Sequence, residues 1–256
     1  MVIYQEYPPP PTLVSFVECF WTCQVGLEDR SCSYRVLPDN CIDILWQDQR
    51  VSGFVSGMMT SSNTVIMESR VRTVAVRFKP GRAAHFFPIA LDELTNLRAN
   101  MRDLWGRTAS DDIADALWTH PLTDRERVDV LARHLMEYLA SGKTARHSGV
   151  VDHAIAAISL SNGLLKIEAL ADAVGVSRQH LATQFRQRVG ITTKMFARIC
   201  RFRSAVATIR EAHTAATQID WAILALDCGY ADQSHLIHEF REFTGTSPEP
   251  FALEIV

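Results

Sequence analysis

Between Ser177 and Arg210 every charged side chain is cationic: Arg178, Arg186, Arg188, Lys194, Arg198, Arg201, Arg203 and Arg210, with no Asp or Glu among them. A solvated helix ordinarily mixes signs, so a one-sign stretch of this length reads as a footprint for a polyanion; a chance basic surface is the competing explanation. The formal charge of the whole chain is −3, which argues against a protein that coats nucleic acid by bulk charge. A second place where chemistry could reside is the pair Asp43 and Arg77. Each interrupts an otherwise apolar stretch, and such a charge must be paired, exposed or used on a ligand. A buried Asp–Arg pair between neighbouring strands is the plain structural alternative. Trp21, Trp46 and Phe78 are candidate walls of a small-molecule pocket, or else plain core.

The third candidate chemistry is thiol or metal chemistry. Cys19 and Cys23 have C-x3-C spacing, with Cys32 and Cys41 following. No second closely spaced pair exists, so a closed four-thiolate zinc site is not spelled out. If residues 17–23 form a strand, the first two thiols stand about 13 Å apart on one face, too far for one ion. No metal or cofactor is expected. No Ser/His/Asp order and no phosphate-cradling glycine loop stands out, so the chain does not read as an enzyme.

The elements that must position these residues divide the 256-residue chain in two. That length suits two domains of roughly 100–200 residues each. The first half is β-rich. A turn around Pro38–Asn40 feeds a strand through Trp46, and Val71–Phe78 is a β-branched run stopped by Lys79-Pro80-Gly81. Gly53 and Gly57 punctuate a weaker strand region, and Tyr7-Pro8-Pro9-Pro10-Pro11 is a stiff extended lead-in. After about residue 84 the pattern turns helical, with Val128, Leu131, Leu135 and Leu139 at helical spacing. A linker is expected between Ser141 and Ser148, and helices dominate from Val150 onward. No apolar run reaches the roughly 20 residues of a membrane span, and the start lacks a secretion signal. A cytoplasmic protein with reduced thiols is the default.

The helical half repeats itself. Leu170, Ala171 and Gly175 recur 54 positions later as Leu224, Ala225 and Gly229, and Leu181, Phe185 and Gly190 recur 55 positions later as Leu236, Phe240 and Gly245. The small residue lets two helices approach, and the glycine permits a tight turn between them. Ser177 is a good N-cap for the helix that follows. This is a helix-turn-helix, present twice. Met195–Ala212 reads as one long connecting helix, with Phe196, Ile199, Phe202, Val206 and Ile209 on one stripe. Two reading helices about 34 Å apart could enter successive major grooves on one face of DNA.

At Ile167–Leu181, Phe185, Gly190 and Arg201, the sequence resembles the AraC/XylS family of transcription regulators. The run Cys228-Gly229-Tyr230-Ala231-Asp232-Gln233-Ser234-His235-Leu236, with Phe240 and Thr244-Gly245-Thr246-Ser247-Pro248, carries the resemblance further. Val17–Trp21, Leu37–Asp43, Val76–Gly81 and Leu104–Gly106 resemble a sensor domain that precedes this unit in some members. There the usual glycine after Pro-Asp is Asn40, which also tolerates a left-handed conformation. The expected architecture is α+β: a β-rich sensor at 1–105, a helical connector and linker at 106–147, and a DNA-binding domain with two helix-turn-helix units at 148–256.

The resemblance implies base contacts from Gln179, Ala182, Thr183, Gln233, Ser234, His235 and His238. Arg186 on the same face suits guanine, as Gln179 suits adenine. Arg178, Arg188, Arg198 and Arg201 suit phosphates, which position without specifying. Glu239 and Glu242 would repel phosphates if they face the backbone, so the first unit is expected to dominate affinity. The expected partners are double-stranded DNA and a small-molecule effector, with RNA polymerase and a second copy of the chain as further partners, and no membrane. An alternative is a DNA-damage sensor of the Ada type, which sets a zinc-held cysteine cluster ahead of such a domain. Another is an N-terminal half that only dimerises.

Overall fold

A computed structural model describes residues 2–25, 31–68, 71–142 and 148–254. Its N-terminal half is built on strands β1 (Val2–Tyr7), β2 (Val17–Val25), β3 (Ser31–Val36), β4 (Ile42–Gln47), β5 (Phe54–Ser56), β6 (Asn63–Glu68), β7 (Arg72–Phe78) and β8 (Arg98–Asn100). Six of them form one sheet in the order β1-β2-β7-β4-β5-β8, and β3 pairs with β6 in a separate two-stranded sheet. Asn40, with φ 63°, turns the chain into β4, so the asparagine does take the left-handed conformation that a glycine would.

Register decides which face each side chain occupies, because successive residues of a strand alternate. Phe20, Val76 and Ile44 lie in one cross-strand row, with Thr22, Val74 and Trp46 in the next and Phe78 beside Ile42 beyond. These residues are buried and form the core face. The opposite face carries the rows Cys19–Arg77–Asp43, Trp21–Ala75–Leu45 and Cys23–Thr73–Gln47. A register irregularity between Val17 and Cys19 lets both of these residues point inward on their respective faces.

Helices α1 (Met101–Trp105), α2 (Arg107–Trp118) and α3 (Asp124–Ala140) follow. A capping box between Thr123 and Glu126 starts α3, and that helix packs on β7 and β2. Tyr138 stacks on Trp105 and Phe86, while Val128, Leu131 and Leu135 are buried. Residues 107–140 therefore complete the core of the sheet rather than standing apart as a connector. Lys143–His147, most of the expected linker, lie outside the described residues.

The remainder is helical: α4 (Gly149–Leu160), α5 (Ile167–Ala173), α6 (Arg178–Val189), α7 (Thr193–Thr214), α8 (Trp221–Asp227), α9 (Gln233–Thr244) and α10 (Pro248–Glu254). The connecting helix α7 has 22 residues, about 33 Å at 1.5 Å per residue. Its expected stripe of Phe196, Ile199, Phe202, Val206 and Ile209 is buried throughout. The buried apolar residues form one cluster that runs from Tyr7 to Phe251, so the two halves share a core.

Candidate DNA interface and sensor cavity

The two repeats fold alike. α5 and α6 form one helix-turn-helix, with Gly175 at φ 67° in the turn, and α8 and α9 form the other, with Gly229 at φ 76°. Each second helix is capped in the same way. The Ser177 hydroxyl accepts from the His180 amide and the Asp232 carboxylate from the His235 amide, while Gly190 and Gly245 close the C-terminal ends in the left-handed conformation. Leu181 and Phe185, like Leu236 and Phe240, are buried against α7 and its neighbours. That orientation turns Gln179, Ala182, Thr183 and Arg186 outward on α6, all exposed, with Arg178 beside them. On α9 it leaves Gln233, Ser234 and His238 exposed.

Four of the expected DNA contacts have other occupations here. His235 is half-buried and faces its own turn: its Nδ1 accepts from the Ala231 amide at 3.3 Å, and its ring meets the Tyr230 ring edge-on. Arg198 donates to Glu239 at 2.6 Å and to Glu242, and lies over the Phe243 ring. Arg201 lies 3.6 Å from the same Glu239 carboxylate and over Tyr230. The side chains of Arg198 and Arg201 are 17% and 22% exposed, so in this conformation they fasten α9 to α7 instead of presenting charge to a phosphate. Arg188 is half-buried, within electrostatic reach of Asp152 and Arg82. Glu239 is buried, not turned toward DNA, so the repulsion expected of it does not arise.

The 55-residue repeat carries a signal that the sequence reading passed over. Shifting Arg186 by 55 positions gives Arg241, which is exposed on α9. Both second helices thus present an arginine at the same repeat position.

In the sensor half, Asp43 and Arg77 pair with each other. Arg77 donates twice to the Asp43 carboxylate, at 3.1 and 3.0 Å, and lies 3.5 Å from Asp39. Burial pushes the Asp43 carboxyl up to about 6, against the opposite pull of Arg77. Both charges are spent on each other, so the structure gives them a framework role rather than a ligand role. Trp46 and Phe78 lie on the core face: Gly53 sits directly beneath the Trp46 indole, and Phe78 packs on Phe86. Trp21 is half-buried on the other face, in contact with Tyr4.

Open space lies in at least two places: a hollow of about 490 Å³ beside Gly53, Phe54 and Arg98, and another on that second face. The latter, of about 320 Å³, is bounded by Cys23 and Val25 of β2, Gln47, Thr73, and Val65 and Ile66 of β6. Gln47 donates to Thr73 at 3.3 Å and accepts from Arg50 at 2.9 Å, which sets a polar rim on an apolar floor. Gln47 and Thr73 were legible as the polar members of alternating strands. Which two strands would face β6 was not, because β6 pairs only with β3.

Among the described residues the thiols do not gather, and the Cys32 side chain lies outside them. Cys19 and Cys23 are buried four residues apart on one strand face, and burial pushes Cys19 up to about 12. Among the described residues no group of three or more His, Cys, Asp or Glu side chains could hold a metal ion. No described helix is long and apolar enough to cross a membrane.

Residues 170–252 match the family model described as a helix-turn-helix domain. The C-terminal part of this chain is an AraC-type helix-turn-helix domain. Ahead of that AraC-type domain, residues 5–100 match a domain of unknown function, DUF6597. Among solved structures, the chain is similar to the C-terminal domain of AraT, a response regulator from Geobacillus stearothermophilus: 22% identity, 43% of this chain and 88% of that one, TM-score 0.38. It is also similar to apo ToxT K231A from Vibrio cholerae, at 10% identity over 100% and 97% of the two chains with TM-score 0.43. ToxT bound to (E)-4-(8-methylnaphthalen-1-yl)but-3-enoic acid matches at 11% identity over 88% and 98%, TM-score 0.45. No curated protein matches the chain.

Proposed function

We propose that this chain is a sequence-specific transcription regulator that reads duplex DNA with α6 and α9 and answers to a small molecule held by the N-terminal half. The observation that carries the reading is the pair of like-capped second helices. Both leave their polar residues exposed at equivalent positions, across a connecting helix about as long as one turn of B-DNA. Gln179, Thr183 and Arg186 supply adenine, thymine and guanine chemistry on the first helix; on the second, Ser234 and His238 offer hydrogen bonds to base edges and Arg241 suits guanine. Arg178 and Gln233, in the first turn of each helix, suit phosphate or sugar contacts.

The hollow at Cys23, Gln47, Thr73 and Ile66 is the place for an effector with one polar end and an apolar body. RNA polymerase and a second copy of the chain are further partners compatible with this role, which would be exercised in the cytoplasm.

The test is a genome-wide binding map of the full chain, followed by fluorescence anisotropy on the recovered sites. Specific sites bearing two half-sites about one helical turn apart support the reading. Indiscriminate binding, or none at any salt concentration, overturns it. The neighbouring genes would nominate effectors to try against Thr73→Trp, which fills the hollow.

A further inference from the structure

The N-terminal half touches the C-terminal ends of both second helices of the repeat. The Thr95 hydroxyl donates to the carbonyl of Gly190, the cap of α6. The Ser62 amide donates to the carbonyl of Phe243, in the last turn of α9, at 2.8 Å. The fit at α6 is close: a Cβ on Gly190 would come within 3.1 Å of the Leu91 carbonyl and 3.3 Å of the Met58 Cβ. Two more contacts seize α7, where Asn40 donates to the Phe196 carbonyl at 3.2 Å and Arg203 to the Asp39 carbonyl at 2.9 Å. The short 3-10 helix Leu91–Leu94, which packs on α6, is thereby held in one place.

That placement sets Asp92 against Arg186, with carboxylate and guanidinium 3.6 Å apart. Arg186 is the outward arginine of α6. Its repeat counterpart Arg241 has no ion pair among the described residues. We infer that Asp92 is a determinant of DNA affinity located in the sensor half: it competes with DNA for Arg186 and leaves Arg241 free. An arginine 62% exposed and loosely paired is available to DNA, but only by giving up the carboxylate. Asp92 is therefore a brake that acts on one of the two reading helices. Anything that shifts the Leu91–Leu94 turn on α6 changes the strength of the brake. This inference rests on α6 being a DNA-reading helix.

The experiment uses the full chain and a 30-base-pair duplex of mixed sequence, with anisotropy measured across a series of KCl concentrations. Asp92→Asn is expected to tighten binding about three- to five-fold at 0.1 M salt, the scale of an exposed ion pair. On this non-specific duplex Arg186 meets phosphate instead of a guanine edge, so the log–log salt slope is also expected to steepen by about 0.9, one more phosphate neutralised. The gain should vanish in an Arg186→Gln background and persist in an Arg241→Gln background. Glu93→Gln removes the same charge one residue away, without the pair, and should leave the slope unchanged. If Asp92→Asn matches wild type, the inference fails while DNA binding stands. If the gain survives Arg186→Gln, or Glu93→Gln reproduces it, Asp92 acts only as distant negative charge and the inference is overturned. A wild-type chain that binds no duplex removes the DNA reading itself, and this inference with it.

Discussion

Replacing Glu239 by Gln separates two opposite expectations. A carboxylate facing DNA would weaken binding, so removing it would tighten the complex. In the structure Glu239 is 2% exposed and serves two arginines at once, Arg198 at 2.6 Å and Arg201 at 3.6 Å. Removing one member of a buried pair costs about 3–5 kcal/mol, because the partner's charge is left without compensation. Arg198 and Arg201 keep some contact with water, and Arg198 retains Glu242, so the cost falls just below that range: about 2–3 kcal/mol for Glu239→Gln. Glu242→Gln, at a side chain 44% exposed, should cost less than about 1 kcal/mol. Urea denaturation followed by circular dichroism gives both values, and anisotropy on duplex DNA gives their effect on binding. Glu239→Gln should lose stability and weaken DNA binding, since α9 is no longer fastened to α7. A Glu239→Gln protein that is as stable as wild type and binds DNA more tightly would refute the buried-clasp reasoning.

Other outcomes follow from the same structure. The Glu242 carboxyl is held below its usual 4.5 by the hydrogen bond from Arg198. Its contribution to stability is therefore present above 4.5 and fades as pH falls through the lowered value; the melting-temperature gap between wild type and Glu242→Gln should narrow steadily as pH is taken below 4.5. Arg186→Ala should cost about 1–3 kcal/mol at a recovered site and relax base preference at one position, measured by competition with point-substituted duplexes. Asp43→Leu should destabilise by about 2–3 kcal/mol in urea, because Arg77 keeps only the more distant Asp39. A loss under 0.5 kcal/mol would mean that solvent already satisfies Arg77.

The helical half was legible because its signals are local. Gly175 and Gly229 mark turns, Ser177 marks a cap, and the 54- and 55-residue shifts mark a repeated unit; each needs only a few neighbouring residues to be read. The sensor half depends on strand register, which no local pattern supplies. Asp43 and Trp46 are three residues apart on one strand, so they belong to opposite faces of the sheet and could not line one pocket. Alternation alone separates them, yet only the pairing of β4 with β7 shows that Arg77 is the partner of Asp43. β1, β3 and β6 carry mixed, partly exposed sequences and went unread for the same reason.

Charge, too, was readable as composition but not as position. The acid-free stretch from Ser177 to Arg210 supplies the basic groups from which a DNA footprint was read, yet its members have different fates. Arg186 turns outward on α6, Arg198 and Arg201 are consumed by an acid 38 or more residues further along, and Arg203 holds the Asp39 carbonyl in the other half. The asymmetry expected between the two units came from the arginines of the first helix and from counting both Glu239 and Glu242 as surface charge; of the two acids, Glu239 is the one that the structure buries. For Glu239 the repeat argues otherwise: the equivalent position in the first unit is Gln184, half-buried, which contacts Ser148 at the start of α4 and His180 on its own helix. A repeat position that points inward in one copy points inward in the other, so Glu239 had to find a cation inside the fold, and α7 supplies two. What remains facing outward at equivalent positions is the pair Arg186 and Arg241. Asp92 is thus one difference between the units that the structure supports, present for one of those arginines and absent for the other; the exposed Glu242, where the first helix has Gln187, is another.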